Sequence, residues 1–204
     1  MSEVRSGWRA EVEGYVEREA RPVEKFGHQP RLYALTLRVG AGLAYDDDVV
    51  FAAAWLHDMG VFIGHRPEER ELLERWDNVA YALRITPDVL AGFGFPEDKI
   101  AAVLECIRTH QPHFEPTTIE ATILRDADIL EQLGAVGILR TVTKVGRDTR
   151  FITFTHAVAS LQRALDTLPQ MLRLPSSRLL AEEKLAVHRA FLQGAADEAG
   201  SLLY

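Results

Sequence analysis

Adjacent imidazole and carboxylate side chains, His57-Asp58, close the apolar run Val49-Val50-Phe51-Ala52-Ala53-Ala54-Trp55-Leu56 and precede Met59-Gly60. A helix that buries such a run delivers two metal-competent groups at its C-terminal end. His28 lies 29 residues before His57, and Asp128 lies 70 residues after Asp58, within Asp126-Ala127-Asp128. Two imidazoles and two carboxylates can close around one divalent cation, and metal-dependent hydrolysis is the chemistry such a centre supports. Successive helical residues stand about 100° apart, so His57 and Asp58 share a cation only where the helix ends. Mixed nitrogen and oxygen ligands suit manganese, iron, nickel, cobalt or zinc; magnesium is possible but favours more oxygen. Each residue also has a plainer use. His57 can be a buried imidazole oriented by its neighbour, His28 can bridge helices, and Asp128 can cap a turn. All four sit among apolar helical segments, where burial without a metal demands another fully satisfied polar network.

The elements that must position these residues read as helices throughout. Trp8, Val12, Tyr15 and Val16 recur at helical spacing between about residues 7 and 21. Leu32, Leu35, Leu37 and Val39 mark a second helix after Gly27-His28-Gln29-Pro30. Asp46-Asp47-Asp48 supplies an N-terminal cap for the third, which ends near Gly60. Residues 59–67 form a loop beside the doublet, and 68–83 read as a surface helix broken afterwards at Pro87. Pro96 opens a helix over 97–109, and Thr117 or Thr118 caps the one carrying Asp126 and Asp128. Gly134-Ala135-Val136-Gly137 reads as a turn or a tight helix junction, followed by an apolar segment to Val145. Phe151-Ile152-Thr153-Phe154, beyond Gly146-Arg147-Asp148-Thr149, reads as extended loop, since one strand makes no sheet. Two tail helices, about 156–172 and 181–202, are split at Pro175-Ser176-Ser177. The expectation is an all-α, single-domain bundle over 1–204, with a metal-site core of about 20–145 and a helical extension over 146–204.

Composition narrows the function classes. With 204 residues and 47% hydrophobic content the chain can build a substantial core. A net charge of -7 gives no footing for extended nucleic acid, although a small nucleotide held through metal is compatible with it. The lone Cys106 excludes an internal disulfide and reads as core packing in a reducing compartment. The N-terminal charges Glu3, Arg5, Arg9, Glu11 and Glu13 leave no apolar signal core, and no segment has the length and apolarity of a membrane span. A cytoplasmic location is the resulting expectation. No glycine-rich loop followed by lysine is present for ATP-driven chemistry.

The ordered set His28, His57-Asp58 and Asp128 resembles the metal-dependent phosphohydrolase superfamily named for its histidine-aspartate doublet, the HD domain. His28-Gln29-Pro30-Arg31-Leu32 is similar to the family's first-histidine helix, and Trp55-Leu56-His57-Asp58-Met59-Gly60 to its doublet. Ile107-Arg108-Thr109-His110 resembles a later histidine-bearing helix, and residues 123–130 with Gly134-Ala135-Val136-Gly137-Ile138 the final aspartate segment. The likeness covers roughly residues 20–145. It implies a helical fold and His28, His57, Asp58 and Asp128 as ligands. Two departures, Glu131 in place of an aspartate and Gln29-Pro30 after the first histidine, bear on substrate class more than on metal binding.

The resulting expectation is a metal-dependent phosphohydrolase acting on a phosphate ester or phosphoanhydride, with a small nucleotide preferred because the resembled superfamily often acts on nucleotides. Asp58 can orient the attacking water, His110 can carry a proton or contact phosphate, and Arg31, one turn after His28, can meet phosphate oxygens. His65 and Arg66 lie in the loop after the doublet and can act as a substrate lid. Arg125 and Arg140 are lesser phosphate candidates, and Asp126 reads as a cap or an arginine partner. Two other classes compete: a metal-stabilised binding or regulatory module without turnover, and a di-iron oxygenase on a related helical scaffold. The amphipathic last helix can support a homodimer or close the core of a monomer.

Overall fold

A computed structural model describes residues 7–147, 151–200 and 203 of the chain. Glu3 and Arg5, the Asp148-Thr149 part of the expected break and the far end of the last helix at Leu202 lie outside those residues. The described residues form helices and connecting turns, with no strand among them. Their contacts fall into two compact units, Met1–Arg125 and Asp126–Tyr204.

The first unit is organised around α3 (Asp47–Leu56). Asp46 starts it: Oδ1 accepts from the backbone N–H groups of Asp48 (3.0 Å) and Val49 (3.4 Å), two donors that have no partner inside a first helical turn. Every residue from Val49 to Leu56 is then buried, as expected of a helix apolar on all sides. Packed against it are α1 (Trp8–Glu19), α2 (His28–Val39), α5 (Asn78–Gly92) and α6 (Ile100–Thr109). On α2, Leu32, Leu35 and Val39 are buried at helical spacing, on the stripe that begins with His28. Cys106 on α6 is fully buried, and that burial pushes its thiol pKa well up, so it packs rather than reacts.

Charges fix the start of α3 from two sides. Arg9 of α1 donates to Asp47 (2.8 Å) and Asp48 (2.6 Å), and its guanidinium lies 4.7 Å from the centre of the Phe51 ring. Lys99 meets Asp46 at 2.8 Å and Asp48 at 3.1 Å. The Arg9 hydrogen bond holds the Asp48 carboxyl below the usual carboxylate range. Burial and the bond to Asp47 together push the Tyr33 hydroxyl up to about 12.

α4 (Arg70–Glu74) is a single short turn, and the helix expected over 68–83 is divided. Asp77 restarts the chain as α5 by accepting from Ala80 N–H at 2.8 Å, and the helix then runs through Pro87 to Gly92. The proline ring removes one backbone donor there without ending the helix. α7 (Ile119–Glu131) runs across the division between units; its first turn sends Glu120 Oε1 to accept from Asp46 N–H at 2.9 Å.

In the second unit α8 (Gly134–Val142), α9 (Phe154–Thr167) and α10 (Pro175–Ala199) pack on one another around Ile138, Leu161 and Leu192. The expected junction at Gly134–Gly137 is tight. Gly134 has φ +71°, and a Cβ on Gly137 would lie 2.2 Å from the Gln132 carbonyl oxygen. Pro175 opens α10 instead of separating two helices, because a first-turn residue needs neither an N–H nor a free φ. Thr153 caps α9 by accepting from His156 N–H at 3.4 Å, so the Phe151–Phe154 stretch leads straight into a helix. Asp126 is completely buried and accepts from the backbone N–H groups of Arg173 and Leu174 at 2.8–3.1 Å, the capping use expected of it. Arg140 pairs with the buried Glu131 at 3.0 Å.

Candidate metal centre

The site forms where α3 stops. His57 is the residue after the last helical position, and its backbone N–H still reaches Ala53 O at 3.0 Å. Its Nδ1 lies 3.0 Å from the Ala54 carbonyl oxygen, and a carbonyl only accepts, so Nδ1 carries the proton. In the neutral ring Nε2 then holds a lone pair, and backbone orientation of this kind is usual for metal-binding histidines. Asp58 leaves the helix with φ -104° and ψ 16° and makes no capping hydrogen bond with its side chain. Its carboxylate turns toward the imidazoles. His28, the first residue of α2, brings its Nε2 to the same point.

Three distances define the centre. His28 Nε2 and His57 Nε2 are 3.3 Å apart, and Asp58 Oδ2 lies 3.7 Å from each. A triangle with these sides has its centre about 2.1 Å from every corner, within the range of about 2.0–2.2 Å for bonds from a divalent ion to imidazole nitrogen and carboxylate oxygen. His28 and His57 are buried, and Asp58 is 21% exposed at the side chain, so one edge opens outward. A lone pair and a carboxylate converge on this point, which therefore calls for positive charge. Among the described residues these three form the one group of metal-competent side chains so arranged.

His110 abuts the trio. It is 3% exposed, its ring centre lies 4.9 Å from that of His57, and its Nδ1 lies 2.7 Å from Ile107 O. Facing a carbonyl, its Nδ1 likewise carries the proton. Arg31 is exposed, three residues along α2 from His28. Asp128 lies half-buried on the second-unit part of α7, where Gln132 Nε2 donates to its backbone carbonyl at 3.3 Å.

Other candidates are engaged elsewhere. His65 is held between Tyr81 (Nδ1 to hydroxyl, 2.7 Å) and Glu19 (Nε2 to Oε2, 2.9 Å), which ties the loop after the doublet to α5 and α1. A lid would have to break both bonds. Arg125 is buried and donates to Pro112 O at 2.6 Å.

Two supporting contacts escaped the sequence reading. Gln29 is buried, and its side-chain amide, oriented with NH2 toward the carbonyls, donates to Lys25 O and Phe26 O at 3.1 Å each. It thereby anchors the entry to α2 beside His28. Gly60 lies against α5 so closely that a Cβ would sit 2.5 Å from Asn78 O and 2.7 Å from Asn78 Cα. Trp76 Nε1–H also donates to Gly60 O at 2.8 Å. The turn carrying Asp58 is locked from that side.

A family model described as HD domain matches residues 26–133, a span that contains all four expected ligands. The chain belongs to the HD domain family. Its fold is shared with solved structures at low identity. YpgQ of Bacillus subtilis, crystallised in complex with ADP, is 21% identical with a TM-score of 0.75 over 96% of each chain. Lin1889 of Listeria innocua is 20% identical with a TM-score of 0.70 over 94% of each chain. An HD-superfamily hydrolase of Bacillus thuringiensis is 18% identical with a TM-score of 0.69, over 93% of this chain and 95% of its own. No curated protein matches the sequence significantly. No helix among the described residues of this HD-domain chain is long and apolar enough to cross a membrane.

Proposed function

We propose that this HD-domain protein is a metal-dependent phosphohydrolase of small phosphorylated substrates, with nucleotides as the preferred class. The observation that carries the proposal is the His28–His57–Asp58 triangle, whose centre lies at metal–ligand distance from all three atoms. When bound there, a divalent ion supplies charge neutralisation at phosphate and acidifies the attacking water. Manganese, iron, nickel, cobalt and zinc suit this donor set, with magnesium possible. Asp128 is proposed as a fourth ligand on the family pattern, which treats residues 1–204 as one functional domain.

The chain's own groups would complete the reaction. Asp58 orients the attacking water through its outward edge. His110, held in the Nδ1–H form, presents Nε2 as a proton acceptor or donor beside His57. Arg31 offers a planar fork of donors for phosphate oxygens. The nucleotide preference draws support from YpgQ, a protein of similar fold crystallised with ADP. A single three-residue group among the described residues favours one ion over the paired irons of an oxygenase.

The test is a screen of metal-reconstituted protein against nucleoside mono-, di- and triphosphates with product identification. Release of phosphate indicates phosphatase action, and release of pyrophosphate from triphosphates places cleavage between the α and β phosphates. Metal-dependent folding without turnover of any of them would reject the enzyme and leave a metal-stabilised binding module.

A further inference from the structure

A cavity of about 490 Å³ lies in the first unit, lined in part by Trp76, Asn78, Gln111, His113 and Phe114. Small-molecule sites run from about 300 to 1,000 Å³, so a nucleoside fits its size. Two walls are tied to the metal trio. On one side Trp76 and Asn78 hold Gly60, two residues beyond Asp58, through the 2.8 Å indole bond and the close backbone packing. On the other, Gln111 directly follows His110, whose ring rests against His57.

The lining is mostly aromatic, apolar and amide, with Asp77 and Arg108 as its charged members. Trp76 spends its polar atom on Gly60 and presents ring surface. Phe114 is 40% exposed, with the His113 ring 4.3 Å from it. The side-chain amides of Asn78 and Gln111 have no hydrogen-bond partner among the described residues, and each offers donors and an acceptor together. Two charged groups also line the cavity. Asp77 accepts from Ala80 N–H at 2.8 Å, and Arg108 donates to Glu105 at 2.7 Å. Flat aromatic surface with uncommitted amides is the complement of a nucleobase.

We infer that this cavity receives the nucleoside part of the substrate while its phosphates extend to His28, His57 and Asp58. The base stacks on Trp76 and Phe114, and Asn78 and Gln111 read its edge. The inference rests on the nucleotide reading above.

The experiment compares a nucleoside triphosphate with inorganic tripolyphosphate as substrates for metal-loaded wild type, Phe114→Ala and Gln111→Ala. Metal content is measured on each protein. The expected result is a KM for the nucleotide raised about tenfold in Phe114→Ala, the loss of one base–aromatic stack. A smaller rise is expected in Gln111→Ala, with tripolyphosphate kinetics and metal content unchanged in both. Equal effects on the two substrates, or none on the nucleotide, overturn the subsite and leave the hydrolase standing. If wild type turns over none of the nucleoside mono-, di- and triphosphates, the hydrolase reading falls and tryptophan fluorescence decides the subsite alone. Saturable quenching by adenosine, guanosine, cytidine or uridine that Trp76→Phe and Phe114→Ala both weaken supports it; no saturable quenching in wild type overturns it.

Discussion

The buried histidines of the two units are prepared for opposite purposes. In the first unit His57 and His110 each place Nδ1 against a carbonyl of their own helix, so their Nε2 atoms are lone-pair donors. His57 Nε2 meets His28 and a carboxylate at 3.3 and 3.7 Å. In the second unit His188 on α10 is equally buried, but its Nδ1 accepts from Gly134 N–H at 3.4 Å. That contact gives the other tautomer, with the proton on Nε2. Burial depresses the His188 pKa, and the Leu161 backbone opposes the shift only in part. The rings are buried in both units. Only the first also gathers a carboxylate and a second imidazole at one point, and convergence of donors, rather than burial, is what marks a candidate metal site.

The largest test of this contrast removes one imidazole from each unit. His57→Ala should weaken divalent-metal binding by more than about 100-fold, beyond the 10–100-fold typical of losing a group that merely supports a ligand. His188→Leu should leave metal content, measured by elemental analysis, unchanged. Equal metal loss in both variants would erase the distinction. Next in size is Gly60→Ala, whose Cβ must displace the Asn78 backbone. It should cost about 1–3 kcal/mol by denaturant unfolding and also lower metal affinity, because Asp58 moves with the turn.

Smaller still is a pH effect from His188. Its folded pKa is below the ordinary 6.5, so the unfolded chain takes up the proton first. The His188 contribution therefore costs nothing well above pH 6.5 and is progressively lost as pH falls through 6.5 toward the folded value. Metal-free wild type should accordingly lose more stability than metal-free His188→Leu between pH 7.5 and 5.5, read as the shift in denaturant midpoint. Parallel curves would show that burial of this ring carries no protonation penalty. The smallest expected change is Arg9→Met, which breaks partly exposed ion pairs to Asp47 and Asp48. It should cost about 0.5–1 kcal/mol without altering metal content.

The site was legible in the sequence wherever chemistry and helix geometry coincide. An unbroken apolar run ending in His57-Asp58, with Asp46 as cap, can be little else than a central helix that delivers two metal-competent side chains at its end. His28 was a candidate from its residue type and His110 from the family resemblance, and their proximity to His57 is a tertiary outcome that spacing does not encode. Proline misled twice. Pro87 and Pro175 both read as breaks, yet one is absorbed within α5 and the other opens α10. Pro175 falls in the first turn of α10, where a missing N–H costs nothing, whereas Pro87 falls inside α5 and is tolerated there. His65 read as part of a lid because it lies in the loop after the doublet, but its Glu19 and Tyr81 partners lie 46 and 16 residues away. The Gly60–Asn78 contact carried no local signal, since a small residue is informative only once its neighbour is known.

The account stands on a cation at the centre of the His28–His57–Asp58 triangle, and anomalous diffraction from crystals of manganese- or zinc-reconstituted protein measures that directly. A single strong peak is expected about 2.1 Å from His28 Nε2, His57 Nε2 and Asp58 Oδ2. A metal-loaded crystal with its peak elsewhere, and ordinary hydrogen bonding among these three side chains, would contradict it.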